Sequence, residues 1–100
     1  MPQNTVMMRD NKGKAKLSFL LDFPKATESL CRVMEFGASK YAMNDWKSGG
    51  DVRGLEDSLL RHLHKYHNKE DLDEESGESH LGHALFNLMA IIESKNEDNR

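Results

Sequence analysis

SHLGHALFNLMAIIE, residues 79–93, is the stretch that decides how this chain folds. At about 100° per residue, His80, His83 and Asn87 fall in one narrow sector, while Leu81, Ala84, Leu85, Phe86, Leu88, Met89, Ala90, Ile91 and Ile92 fill the rest of the circumference. A helix so apolar is expected to be buried on most sides. Two imidazoles and an amide in that setting need partners, because an unpaired buried polar group costs about 1–3 kcal/mol. A metal ion, a polar ligand or other side chains could supply them, and the spacing leaves all three open.

Two more helices precede it. The first is expected to begin at Pro24, a favoured first-turn residue, and to run to about Tyr41, with Ala26, Leu30, Val33, Met34, Gly37 and Tyr41 on one face. Glu28 and Glu35 share its margin, and Arg32 is spaced to pair with Glu28. The second runs from Asp51 or Val52 to His67, with Val52, Leu55, Leu59, Leu63 and Tyr66 as its apolar stripe. Glu56 sits within that stripe and His62 on its border, whereas Asp57, Arg61 and His64 point away. Residues 1–16 read as extended or looped, 42–54 as a loop by their turn residues, and 95–100 as a frayed tail. The acidic linker NKEDLDEESGES, residues 68–79, offers Ser76 with Glu78, or Ser79 alone, to cap the third helix. The expected fold is all-α: one domain over residues 1–100, a small bundle of three main helices. Its core is thin for a lone chain of this length and is expected to be completed by oligomerisation, as a homodimer or higher homo-oligomer.

Composition narrows the function classes. A net charge of −3 without a collected basic stripe gives no footprint for nucleic acid. Cys31 is the single cysteine, so no intrachain disulfide can form. With no signal-peptide pattern and no apolar run of about 18 residues, a soluble cytoplasmic protein without membrane partners is expected. If the chain is phage-encoded, that cytoplasm is the host's.

The segments EFGASKY, W-x-x-G, LLRHL and ED-x-DEESG-x-x-HLGHA-x-x-N resemble the phage and bacterial family of dATP/dGTP diphosphohydrolases, relatives of the MazG-like all-α nucleoside triphosphate pyrophosphohydrolases. The likeness covers roughly residues 10–93, and DEESG-x-x-HLGHA with LRHL upstream is its specific part. The resemblance implies a helical oligomer that binds a divalent metal and cleaves a purine deoxynucleoside triphosphate to the monophosphate and pyrophosphate. Two departures stand out. Asp45 precedes Trp46 where an asparagine is expected, and Lys69 stands where a glycine is usual before Glu70.

MazG-like enzymes generally hold magnesium with carboxylate pairs, whereas here His80 and His83 occupy what looks like the second pair. At i and i+3 the two rings can reach one ion, and His62 could add a third nitrogen. Such a site favours Mn²⁺, Co²⁺, Ni²⁺ or Zn²⁺ over Mg²⁺ unless Glu35, Glu56 or Asp57 completes the shell and orients the attacking water. Glu56 is the sharper of these by position, since a charge in an apolar stripe asks for compensation. Lys12, Lys14, Lys40 and Arg61 are candidates to counter the triphosphate, Asn87 to contact the ligand, and Trp46 to stack on the base or anchor the core. Asp73, Glu75, Ser76 and Gly77 belong to the matched motif and suggest a structural turn or cap. The competing readings are a polar core network between helices for His80, His83 and Asn87, and a border hydrogen bond for His62. For the whole chain the alternative is a non-catalytic helical binding or regulatory protein. A monoester phosphohydrolase ranks last, because no adjacent His-Asp pair is present.

Overall fold

The computed structural model describes residues 12–40 and 51–94. A turn at residues 12–14, with Gly13 at φ 81°, leads into a short 3-10 helix, Leu17–Asp22. Three α-helices follow: α1, Pro24–Lys40; α2, Val52–His67; and α3, His80–Ser94. Among the described residues there is no strand, and one isolated bridge joins Leu72 to Ser79. No helix there is long and apolar enough to cross a membrane.

Helix α3 is the central element. It packs along α2 on one side and α1 on the other, while α1 and α2 make no comparable contact with each other. Pro24 opens α1 as its sequence position predicts, and the Thr27 N–H and hydroxyl both donate to the Phe23 carbonyl, at 3.0 and 2.8 Å. The expected Arg32–Glu28 pair forms at 2.7 Å on the solvent side. Val33 is the buried anchor of this helix. It meets α3 at Gly82, where an added Cβ would collide with the Ser29 hydroxyl and stand 3.3 Å from both the Ser29 carbonyl and Val33 Cγ2. Glycine is thus the residue that lets the two helices approach this closely.

Helix α2 ends in a Schellman motif: Glu70 N–H donates to Lys65 O and Lys69 N–H to Tyr66 O, both at 3.0 Å. The residue that must turn left-handed in this motif is normally glycine, and here it is Lys69, at φ 76°. The departure noted in the sequence therefore falls on a backbone-conformation position that closes a helix. Beyond it, residues 71–79 fold back on themselves. Asp73 N–H donates to Glu78 O and Gly77 N–H to Asp73 O, each at 2.8 Å, with Gly77 at φ 74°. Ser79 is the cap of α3, its hydroxyl accepting from Gly82 N–H at 3.1 Å.

One expectation is revised. Helix α3 is not buried on most sides: its buried positions are His80, Gly82, Ala84, Asn87 and Ala90, whereas Leu81, Leu88, Met89 and Ile92 are exposed. Two flanking helices cover only two sectors of a third, and close approach selects the small residues for the contacts. Of the large apolar side chains, Leu85, Phe86 and Ile91 are half-buried and the other four are left outside.

Candidate metal centre

The polar strip of α3 meets α2 and the folded linker at one place. His80, the first residue of α3, is 1% exposed and is the largest fully buried side chain among the described residues. Its Nδ1 lies 2.8 Å from Nδ1 of His62, delivered by the border of the α2 stripe. His83, one turn along α3, stacks on His62 with ring centroids 4.5 Å apart and planes 7° apart, and Phe36 of α1 meets His83 edge-on. The linker contributes the remaining groups. Asp73 Oδ2 accepts the N–H groups of Glu75 and Ser76 at 3.1 and 2.9 Å, an aspartate-nucleated turn. Ser76 Oγ lies 2.7 Å from His83 Nε2 and accepts from Glu78 N–H at 3.1 Å.

Burial, then the neighbouring His83 and His80, pushes the His62 ring down to about 4. His83 is lowered too, chiefly by burial, against the opposing pull of Asp73. Burial alone would raise Asp73, but the Ser76 backbone N–H and hydroxyl, with His83, hold its carboxyl below the usual range. At neutral pH this leaves the Asp73 carboxylate anionic beside neutral His62 and His83 rings, and a cation requires deprotonated ligands.

His62, Asp73 and His80 each offer one ligand atom, and these atoms lie within 4.8 Å of one another. One further observation bears on the fit: Nε2 of the buried His80 has no hydrogen-bond partner, so the ring's bonding is incomplete within the described chain. A donor set of two imidazoles and a carboxylate, half-buried on the His62 and Asp73 side, is compatible with a divalent metal ion.

The three histidines expected at the metal are thus brought together, but the expected carboxylates are not grouped with them. Glu35 is exposed on α1. Glu56 is exposed and pairs with Arg53 at 3.3 Å, which is how a charge in the α2 stripe is compensated. Asp57 and Arg61 line an open groove of about 690 Å³ with Leu60, His64 and Lys65, none of them members of the histidine cluster. Asn87 is 5% exposed and donates to Ser58 Oγ at 3.0 Å, a tie between α3 and α2. Lys12 and Lys14 lie in the exposed N-terminal turn. Lys40 ends α1, and Trp46, like Asp45, lies outside the described residues. The carboxylate that does join the cluster, Asp73, was read from sequence as part of a turn. Its signal was present in the Asp-x-x-Ser-Gly spacing, which folds the linker back over the start of α3.

The family model described as dATP/dGTP diphosphohydrolase, N-terminal, matches residues 5–100. A protein of Salmonella phage PMBT28 named dATP/dGTP diphosphohydrolase is 38% identical over 82 residues, which is 82% of this chain. The chain spans about a quarter of that relative's length, 27%. No solved structure matches it. The matched span contains all three α-helices and the whole histidine cluster, and on this agreement the chain belongs to the dATP/dGTP diphosphohydrolase family.

Proposed function

We propose that this chain takes part in metal-dependent hydrolysis of a purine deoxynucleoside triphosphate, dATP or dGTP, to the monophosphate and pyrophosphate. The observation that carries the reading is the junction of His62, His80 and Asp73 around a fully buried imidazole, within a chain whose relative is named for this activity. The cofactor is a divalent metal, drawn from Mn²⁺, Mg²⁺, Co²⁺, Ni²⁺ and Zn²⁺. When bound, such an ion neutralises phosphate oxygens and lowers the pKa of a bound water.

The chain's own residues would act around it as follows. His80 anchors the site from inside the helix packing, where bulk water has no access. His62 and Asp73 present their donor atoms on the half-buried side, from which a triphosphate can approach. His83 and Ser76 hold the neighbouring ring and turn in place through the stacking and the 2.7 Å contact described above. Arg61, exposed beside His62, is the nearest cation in sequence to the cluster and the first candidate to meet the phosphate tail. We further propose that two or more copies associate, since Leu81, Leu88 and Ile92 leave one side of α3 uncovered.

A second reading has its own support. Glu35, Glu56 and Asp57 lie on exposed faces, and Asp73 is the one carboxylate grouped with the histidines among the described residues. That pattern favours a chain that binds metal and nucleotide without cleaving. Incubating the purified protein with each deoxynucleoside triphosphate and Mn²⁺ or Mg²⁺, then resolving the products, decides between them. Monophosphate with pyrophosphate supports the first reading, and retained nucleotide binding without turnover the second. Release of inorganic phosphate alone contradicts both.

A further inference from the structure

We propose that His62, Asp73 and His80 are the ligands of a divalent transition-metal ion, and that His83 stands outside the ligand shell as a positioning residue. The inference deepens the function proposed above by naming the ligands and the class of ion, but uptake of the ion needs no nucleotide.

The three donors come from three pieces of chain: the middle of α2, the folded linker and the first residue of α3. Two imidazoles facing each other through Nδ1 at 2.8 Å satisfy one another only while a single proton lies between them. Nε2 of the buried His80 has no partner among the described residues, so the ring's polar contact there is made through Nδ1. A cation held by both rings uses both lone pairs at once, and Asp73 brings the negative charge that offsets it. The N–H groups that the Asp73 carboxylate accepts in its turn both fall on Oδ2, which leaves Oδ1 for another partner. Two nitrogens to one carboxylate is a donor set that selects Zn²⁺, Co²⁺, Ni²⁺ or Mn²⁺ over Mg²⁺, which prefers oxygen.

His83 is occupied differently. Its Nε2 is engaged by the Ser76 hydroxyl and lies 3.9 Å from Asp73 Oδ2. Its face is laid on His62. One side chain thereby braces two ligands: His62 by stacking, and Asp73 through Ser76, whose N–H caps the same carboxylate. This is the outer-shell role that orients metal-binding side chains. It differs from the expectation that His80 and His83 share one ion because of their spacing.

The test uses the full chain stripped with a chelator, titrated with Zn²⁺ and Co²⁺ by calorimetry and by the visible absorption of bound Co²⁺. One ion per chain is expected, and a hundredfold excess of Mg²⁺ should not displace it. Asp73→Asn keeps an oxygen for the turn's N–H groups but loses the charge. It and His62→Ala should each weaken binding by more than about 100-fold, whereas His83→Ala should weaken it by about 10–100-fold at unchanged stoichiometry. A measurement on the unaltered chain guards against variants that misfold: Zn²⁺ should shift the ring ¹⁵N signals of His62 and His80 into the ligated range and leave those of His83 outside it. Absence of uptake, equal competition by Mg²⁺, wild-type affinity in Asp73→Asn, or a ligated His83 ring would each overturn the assignment. Uptake with these ligands but no triphosphate cleavage would defeat the proposed function alone. Cleavage supported by Mg²⁺ without Zn²⁺ or Co²⁺ uptake would defeat the site alone.

Discussion

His62 is the residue whose protonation the fold resists most visibly. Its ring faces His80 and His83 from α3 and Asp73 from the linker, with Arg61 beside it on its own helix, and burial with the two rings outweighs the attraction of Asp73. The unfolded chain takes up a proton near the ordinary 6.5, but the native ring does so only near 4. The stability tied to this group is therefore present in full above pH 6.5 and is lost as pH falls towards 4, and the lowered His83 adds in the same sense. With chelator present, the urea midpoint should fall steadily between pH 7 and pH 4.5; a flat midpoint over that range would contradict the packing of these rings. Asn87 offers a simpler measurement. Its amide donates to Ser58 at 3.0 Å from a buried position, so Asn87→Ala should cost about 1–3 kcal/mol in urea unfolding. In a cycle with Ser58→Ala the two changes should couple rather than add. The need of both His80 and Asn87 for partners was legible in the sequence, since a polar strip on an apolar helix demands them. His62 was also legible as a nitrogen donor that could join His80, whereas Ser58 as the partner of Asn87 was not, because it approaches only when α2 docks on α3.

At the scale of the helices, starts and stops were the most legible features. Pro24 at the head of α1, Ser79 capping α3 and the end of α2 at His67 all follow from local chemistry, which needs no knowledge of tertiary contacts. Asp73 was harder to read. Six acidic side chains within residues 70–78 look like a solvated run, and only the turn closed through Asp73, Ser76 and Gly77 lifts one of them out to face the histidines. Two substitutions test this level. Lys69 adopts φ 76° at the close of α2, a conformation that costs a residue with a Cβ about 1–2 kcal/mol. Lys69→Gly should therefore raise stability by roughly 1 kcal/mol, part of the gain being offset by the freer unfolded chain. Gly82→Ala should do the reverse. Alanine is the better helix former by about 1 kcal/mol, yet its methyl would press on Ser29 and Val33 of α1. A net loss of about 1–3 kcal/mol is expected, as for other overpacked sites. Thermal melts of the two variants beside wild type check both signs, and a stabilised Gly82→Ala would mean that α1 does not sit as closely on α3 as described.

At the scale of the whole molecule, the described residues enclose little apolar interior. Val33, Ala84 and Ala90 are the buried apolar side chains of the described residues, while Leu88 and Ile92 are 46% and 65% exposed. Leu81, Leu88 and Ile92, spaced seven and four apart, form a stripe along the side of α3 that neither α1 nor α2 covers, and the exposed Leu17, Leu20 and Leu21 add apolar surface near the N-terminus. The association of copies proposed above would use this stripe, because two such stripes laid together make the kind of seam that joins helices in bundles. Sedimentation of the purified chain at micromolar concentration should show a homodimer or larger assembly. Leu88→Glu or Ile92→Glu should shift it towards monomer, and the thermal midpoint should rise with protein concentration in the wild type alone. If the unaltered chain sediments as a stable monomer across that range, the stripe is not a self-association surface. The histidine cluster separates the two cases. It is built within one chain, so metal uptake should survive Ile92→Glu even where self-association does not.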